Sequence, residues 1–464
     1  MKILYFGGGF VGACSAAVGA DSGHEVLVYD INRELVAGLS SGDKDKIEAC
    51  LFEKGLGDLI IRNKSRIKFT SDLAEAEKFV DGARAVFMCL PTPEKDGTGE
   101  TNLEIYEQAA RTLAGLLITR NKGAQNDYIL LVNKSTVPID MVNRTKEIML
   151  SAGVKNFGVG SNPEFLVEGK AIEGSIHPAR VVIGADSDQD LIIFRNIYSR
   201  FVESSNIDYL EVTPAEAEAS KLLANYILFS RLSDCFGVVG RVCEKFTGLQ
   251  FENIRKVLMA DERIGEWGFY DSLFAGGSCF IKDARSLSHQ LKEKGAAADL
   301  VDGVLSANKG QLDNFMARPK AELNFSWSGK TAGLLGLAFK QDTNDIRNSA
   351  ALGVTEFLLK SGAGKIKAYD PVANGNYLKY FSKYEGADKI SLARAEEEVV
   401  SGADVLIIVT DWPQFRGLDG LILEKLPRGA LIMDGRRMLA HKYDELATAG
   451  YNIIAVGSPL IKAV

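Results

Sequence analysis

Short apolar runs recur along the chain between longer stretches of helical periodicity, and their order predicts its architecture. Lys2–Phe6 is apolar and leads at once into Gly7-Gly8-Gly9-Phe10-Val11-Gly12. The small residues of 13–21 then predict a helix, and 25–29 a second strand ending on Asp30. Residues 32–73 are polar, mostly helical in pattern, and close on the strand-like Ile67-Lys68-Phe69-Thr70. Residues 85–90 and 129–133 are apolar throughout, as in parallel strands covered on both faces. Pro91-Thr92-Pro93 ends the first, and Lys134-Ser135-Thr136-Val137-Pro138 follows the second, which places both loops at the carboxyl edge of a sheet. Asn162-Pro163 reads as a helix opening, predicting Glu164 in the first turn and Glu168 one turn later on the same face. Arg180-Val181-Val182-Ile183-Gly184 and the apolar positions near Tyr209-Leu210 complete a first α/β domain, predicted over residues 1–212.

Thr213-Pro214-Ala215-Glu216 is a capping box with proline at the first helical position. No proline follows before Gly248, so a helix of about 30 residues is predicted despite Gly237 and Gly240. Lys221 and Asn225 share one of its faces, with Glu218 close by. Helical patterns continue through 299–316, giving a helical middle domain over 213–318 in which Ala275-Gly276-Gly277-Ser278-Cys279-Phe280-Ile281-Lys282-Asp283 is lodged. After Pro319 the α/β pattern returns: strand-like 331–338, a helix over 349–360, and a strand over 366–369 ending on Asp370. The run 403–410, closed by Asp411-Trp412-Pro413, echoes 83–93. A second doubly wound domain is therefore predicted over 319–464. It has Gly333 and Gly336 but no full glycine fingerprint, which suits a nucleotide better than a dinucleotide.

Composition narrows this picture. A chain of 464 residues is too long for one core and suggests two or three domains. A formal charge of −7, with no basic block, argues against a nucleic-acid surface. The N-terminus enters the first strand directly, which leaves no room for a signal peptide, and no apolar run approaches membrane-spanning length. The six cysteines are scattered without a CxxC pair, which points to free thiols in a reducing cytoplasm. The four histidines are dispersed, so no metal-ligand set is visible.

Two stretches carry chemistry. The first is the strand, glycine turn, helix, strand and acid of residues 2–30, the context a dinucleotide fingerprint requires. Gly7 permits the tight turn, Gly9 the approach of a pyrophosphate to the helix N-terminus, and Gly12 close helix–strand packing. Asp30 suits the ribose hydroxyls and repels a 2′-phosphate, which selects NAD over NADP. The second is 275–283, where bare glycine backbone precedes a thiol and two charges follow within a helical turn, the setting of nucleophilic thiol chemistry. Taken alone, Cys279 reads as a packed thiol, Lys221 as a solvated helix residue and Glu164 as a helix-dipole partner.

Together these blocks closely resemble the UDP-glucose 6-dehydrogenase family of nucleotide-sugar dehydrogenases. The resemblance spans the chain: the fingerprint with Asp30, Pro91-Thr92-Pro93, Lys134 to Pro138, Asn162-Pro163-Glu164-Phe165-Leu166-Val167-Glu168-Gly169, Ser220-Lys221-Leu222-Leu223-Ala224-Asn225, Gly276 to Asp283, Gly336-Leu337-Ala338-Phe339-Lys340 and Gly435-Arg436-Arg437. It implies two doubly wound, Rossmann-like domains joined by a long central helix. It also implies oxidation of the C6 alcohol of UDP-glucose to UDP-glucuronate with two NAD, through a cysteine thiohemiacetal and thioester.

By the same matching, Cys279 is the nucleophile, while Lys221 and Asn225 stabilise the oxyanion or take the alcohol proton. Asp283 holds a water or Lys221, and Glu164 with Thr136 activates the hydrolytic water. The cofactor set comprises Gly7, Gly9, Phe10, Val11, Gly12, Asp30, Arg33, Pro91, Thr92, Ser135, Thr136, Glu168, Lys282 and Arg347. The substrate set adds Phe165, Leu166, Phe269, Tyr270, Gly276, Phe339, Lys340 and Arg437, with Arg263 reaching in from a neighbouring subunit of a homodimer or higher oligomer. The family often has Gly-Phe-Gly-Gly before its Ser-Cys, whereas this chain has Phe274-Ala275-Gly276-Gly277 after Leu273, a departure that bears on sugar-pocket shape. GDP-mannose, UDP-N-acetylhexosamines and TDP-glucose are the alternative substrates of such enzymes. A catalytically silent NAD- and nucleotide-binding scaffold is the alternative from another class.

Overall fold

The computed structural model describes residues 1–95, 97–121 and 128–464. It resolves into two compact bodies, one of 1–224 with 289–294, the other of 225–288 with 295–464. The middle segment is thus shared between the two.

The first body is built on an eight-stranded sheet: β1 (Lys2–Phe6), β2 (Glu25–Tyr29), β3 (Ile67–Thr70), β4 (Ala85–Met88), β5 (Ile129–Asn133), β6 (Phe157–Ser161), β7 (Arg180–Gly184) and β8 (Asp208–Val212). Their order is β3-β2-β1-β4-β5-β6-β7-β8. Leu4 stands opposite Leu27 of β2 on one side and Val86 of β4 on the other, both parallel. The order of strands therefore reverses at β1, and a ligand crevice is expected at its carboxyl end. Apolar clusters cover both faces, one containing Ile3, Val28, Phe87 and Val132, the other Leu4, Val86, Leu131 and Val159. This is why the runs read in the sequence are apolar at every position instead of alternating. Among the eight strands, β6 and β7 meet antiparallel, through Ser161 and Gly184.

The second body repeats the first six positions. Strands β9 (Thr331–Leu335), β10 (Lys365–Tyr369), β11 (Ile390–Leu392), β12 (Val405–Ile408), β13 (Leu431–Asp434) and β14 (Asn452–Ala455) lie in the order β11-β10-β9-β12-β13-β14, all parallel. The predicted doubly wound α/β class holds in both bodies.

Three elements differ from expectation. Residues 162–170 are not helical; the helix is Ala171–Ile176, and its N-terminal amides, with that of Gly169, are met by the buried Glu53 carboxylate. Asn162 turns its side chain inward to the Val182 carbonyl, and Gly169 has φ +83°, so the chain here is held as a loop. Pro319 does not end its helix, which runs Asp299–Leu323, because Asn324 in the left-handed region provides the stop. The long helix runs Pro214–Asp234, passes through a π turn at Cys235–Gly240 and ends as Arg241–Lys245, 32 residues in all. Thr213 and Glu216 exchange capping hydrogen bonds at its start. This helix is long and apolar enough by composition to cross a bilayer, contrary to the sequence reading. Within it Glu218 and Lys221 are buried, each with a polar partner in the first body, while only a third of its apolar window is covered.

Candidate active site

The first body presents the fingerprint as a shaped cradle. Gly7 has φ +109°, and a Cβ there would stand 2.2 Å from the Cys89 carbonyl oxygen. A Cβ on Gly12 would fall 1.9 Å from the Gly7 oxygen, whereas one on Gly9 meets nothing within 4 Å. The helix Phe10–Asp21 has no side-chain cap and no acid in its first turn, so its N-terminal amides face open space beside Gly9. Such an end binds phosphate. Asp30 accepts from Gly8 N at 2.6 Å and Asn32 N at 2.8 Å, which fixes the carboxylate while leaving lone pairs for a ribose. The residues present therefore fit NAD.

The second body has an acid at the equivalent place, but its surroundings differ. Asp370 is fully buried and accepts from the amides of Leu337, Ala338, Val372 and Ala373 and from the Trp412 indole at 3.0 Å. Those five donors turn the acid into a structural clasp. This is the physical reason the second sheet lacks a ribose acceptor.

Around the fingerprint, Thr92 Oγ1 donates to the Thr136 carbonyl at 2.6 Å, and Ser135 Oγ accepts from Leu90 N at 2.7 Å. The two edge loops are thereby tied together. Phe10 and Val11 line the first helical turn, Pro91 and Arg33 are exposed, and Glu168 is half-buried in the loop before Gly169.

Lys221 and Glu164 meet in the first body, Nζ to Oε1 at 3.0 Å, both side chains nearly buried. Leu166 N donates to the other carboxylate oxygen, which orients Glu164 through its own loop. Phe165 lies beneath two cations, with Arg180 3.9 Å and Lys221 5.4 Å from its ring centroid. Behind this pair, Lys134 is buried and donates to Asn162 Oδ1 at 2.8 Å; Tyr198 donates to the same oxygen at 2.5 Å. Burial pushes the Lys134 ammonium down to about 8. Lys134, Glu164, Phe165 and Arg180 share the wall of a cavity of about 190 Å³. Sequence reading took Lys134 as part of a motif but gave it no role; two strand-end polar residues at 134 and 162 were the available signal.

The second body gathers the thiol residues. Cys279 stands directly before the helix Phe280–Glu293 and is the exposed cysteine, whereas Cys14, Cys89, Cys235 and Cys243 are buried and Cys50 is intermediate. The positive end of that helix favours charge developing on the sulfur. Asp283, one turn on, is buried; Asn225 Nδ2 donates to its Oδ2 at 2.5 Å and Lys282 Nζ to its Oδ1 at 2.6 Å. Lys221 and Asn225 thus follow one another on the long helix but hold different acids, Glu164 and Asp283.

The glycines before the thiol are fixed by packing. A Cβ on Gly276 would lie 2.4 Å from the Asn348 carbonyl oxygen, and Gly277, at φ +86°, lies under the Phe339 ring. Gly277 N donates to the Arg347 carbonyl at 3.0 Å. Ala275, the position that departs from the family pattern, is buried, and both its N–H and its carbonyl are held by the Asn308 side chain at 2.9 and 3.1 Å. Asn308 lies inside a helix and gave no sequence signal.

Of the remaining residues, Arg263 is 88% exposed and paired with Asp261, and Arg347 is exposed beside Asp345. Phe269 is half-buried, Tyr270 is exposed against Trp267, and Lys340 sits over the ring of Phe339. Arg437 differs from the sequence expectation of a fork open to a diphosphate. It is buried at φ +50°, with four N–H groups given to Glu252, the Val456 carbonyl and Ser458. Its neighbour Arg436, unassigned by sequence, joins the Val409 and Phe339 carbonyls to Ser272.

Comparison with known proteins agrees with this arrangement. Residues 1–202 match the NAD binding domain of the UDP-glucose/GDP-mannose dehydrogenase family, 215–310 its central domain and 333–441 its UDP binding domain. The chain is 32% identical to a UDP-glucose 6-dehydrogenase of Pseudomonas aeruginosa, over 99% of this chain and 98% of that one. It is 30% identical to a UDP-glucose 6-dehydrogenase of Rhizobium meliloti, over 99% and 100%. The solved UDP-glucose dehydrogenase of Pyrobaculum islandicum superposes with a TM-score of 0.85 at 28% identity, covering 99% of this chain and 98% of that one. With a glycine cradle that fits NAD and all three family domains in sequence, the chain belongs to the UDP-glucose/GDP-mannose dehydrogenase family and is an NAD-dependent nucleotide-sugar dehydrogenase.

Proposed function

We propose that the protein oxidises the C6 alcohol of UDP-glucose to the carboxylate of UDP-glucuronate in two two-electron steps, consuming one water. The observation that carries this reading is Cys279 itself, an exposed thiol at a helix start with the Asn225–Asp283–Lys282 cluster one turn behind it. Bound NAD supplies the hydride acceptor for each oxidation. Lys221, held by Glu164, takes the alcohol proton and then steadies the oxygen as negative charge grows. Cys279 sulfur adds to the aldehyde carbon, and the proton it loses passes to the carbonyl oxygen. This thiohemiacetal keeps the aldehyde from escaping. Loss of its hydroxyl proton and C–H hydride gives a thioester. Glu164, together with Thr136 of the loop that follows the adjacent strand β5, directs water onto the thioester carbon, and the C–S bond breaks to return the thiol. Asn225 and Asp283 hold the polar environment of this cycle.

NAD is held by Gly7, Gly9, Phe10, Val11, Gly12, Asp30, Arg33, Pro91, Thr92, Ser135, Glu168, Lys282 and Arg347. The UDP-sugar is met by Phe165, Leu166, Phe269, Tyr270, Gly276, Phe339 and Lys340. Ile227, Val238 and Val242, exposed along the long helix, and Phe246 just past its end support a homodimer built on it, with the exposed Arg263 available to a partner. The reading is of a cytoplasmic enzyme.

The test is a panel of UDP-glucose, GDP-mannose, UDP-N-acetylhexosamines and TDP-glucose followed by NADH absorbance. Two NADH per UDP-glucose, with the highest kcat/KM in the panel, supports the reading. One NADH with free aldehyde as product, or a better substrate among the others, overturns it.

A further inference from the structure

The loop that carries Thr136 ends in four consecutive amides, Ile139 to Val142, and none of them is held by its own segment. The helix Met141–Ser151 that they begin has no side-chain cap of its own, and its N-cap residue Asp140 stands at φ +78°, in the left-handed region. A non-glycine residue is held there only when its surroundings over-determine it. Those surroundings are two side chains from distant parts of the sequence. Glu218 accepts from Asp140 N at 2.7 Å and Met141 N at 3.1 Å on one oxygen, and from Val142 N at 3.0 Å on the other. Gln290 Oε1 accepts from Ile139 N at 2.9 Å.

Glu218 is buried, and it precedes Lys221 by three residues on the same helix. Its backbone is thus rigidly related to the lysine that pairs with Glu164. The amides it holds are tied to Thr136, four residues upstream, through the buried Val137 and the half-buried, φ-restricted Pro138. A helix cap whose only task was stability would come from the N-cap residue at less cost. Here the cap is delivered by the lysine-bearing helix, and it holds a strained residue in place.

From this arrangement we infer that Glu218 is a positioning residue: by clasping the amides of Asp140, Met141 and Val142, with Gln290 on Ile139, it sets Thr136 against the Lys221–Glu164 pair. The inference rests on the reading above, in which Thr136 and Glu164 serve thioester hydrolysis. Its consequence is specific to that half of the cycle. Loosening the clasp leaves hydride removal and cofactor binding in place but slows release of the acid, since a displacement of about 1 Å at a reacting group costs about a hundredfold.

The experiment compares wild type, Glu218→Gln and Gln290→Ala. Hydrogen–deuterium exchange at residues 139–142 reads the clasp without reference to activity. Pre-steady-state NADH formation and steady-state kcat and KM read its effect. The expected result for Glu218→Gln is faster exchange of these amides, a preserved NADH burst of two per active site, kcat reduced about ten- to a hundredfold and KM for NAD within about twofold. Gln290→Ala, which keeps the carboxylate, is expected to show the same pattern at about threefold, and it serves alone if Glu218→Gln does not fold. An unchanged kcat per folded active site in either variant, despite faster exchange, overturns the positioning role and leaves a plain helix cap. Burst and kcat falling together also overturn it. Failure of wild type to form a uronate from any nucleotide sugar would instead defeat the functional reading, while the exchange result would still report on the clasp.

Discussion

Lys221 Nζ lies 3.0 Å from Glu164 Oε1, with only 5% and 11% of the two side chains exposed. A charge so placed depends on its partner, because removing one leaves the other uncompensated at a cost of about 3–5 kcal/mol. Lys221→Met should therefore lower Tm sharply, and Lys221→Met with Glu164→Leu should recover most of the loss. Both proteins should be catalytically dead. Calorimetry of the two, with NADH assays alongside, separates the lysine's structural part from its chemical one. A double variant no more stable than the single would contradict the pairing.

The two acids at the ends of β2 and β10 should behave in opposite ways. Asp30→Ala is expected to raise KM for NAD about tenfold or more, relax exclusion of NADP, and leave Tm nearly unchanged. Asp370→Ala strands five donors and should lower Tm by well over 5 °C with KM for NAD unaltered. Thermal melts and cofactor titrations of the two variants check this directly.

Glycine substitutions in the fingerprint should divide the same way. Gly12→Ala would press a methyl 1.9 Å from the Gly7 oxygen and should destabilise the protein. Gly9→Ala meets nothing within 4 Å and should fold normally while binding NAD weakly, because the space its methyl takes is that of the pyrophosphate. Soluble yield, Tm and NAD affinity are the readouts.

Lys134 makes stability depend on pH. Its ammonium is pushed down to about 8 when folded, against 10.5 unfolded, so between those values the unfolded chain binds more protons. Stability should rise with pH through that window, by up to about 1.4 kcal/mol per unit. Urea titrations at pH 8 and 9.5 should show the rise in wild type, and Lys134→Met should abolish this contribution. An equal slope in the variant would contradict the assignment.

What the sequence made legible were features in which local chemistry and periodicity coincide: the glycine turn with Asp30 at its proper distance, the apolar strands, and the capping box at Thr213. The loop at 162–170 was misread because Asn-Pro is also a helix opening; what decides against it is the buried bond from Asn162 to Val182, a contact between distant residues. Arg437, expected to meet the diphosphate, is held by Glu252 and Ser458, contacts between distant residues that no local pattern announces. Asp370 repeated Asp30 in sequence and differs in its full burial and in the four amides and the Trp412 indole that tertiary structure turns toward it. Pairing among polar groups, such as Lys221 with Glu164 and Asn225 with Asp283, likewise had no local sequence signature.

The account turns on a covalent bond to Cys279, and one measurement reaches it directly. Glu164→Gln should form the thioester and hydrolyse it slowly, so after mixing with UDP-glucose and NAD and acid quenching, mass spectrometry of the peptide containing Cys279 should find the uronyl nucleotide attached there. NADH should stop at about two per active site, and Cys279→Ala should show no adduct and release no uronate. An unmodified Cys279 peptide in Glu164→Gln after NADH has formed, together with uronate release by Cys279→Ala, would contradict the claim.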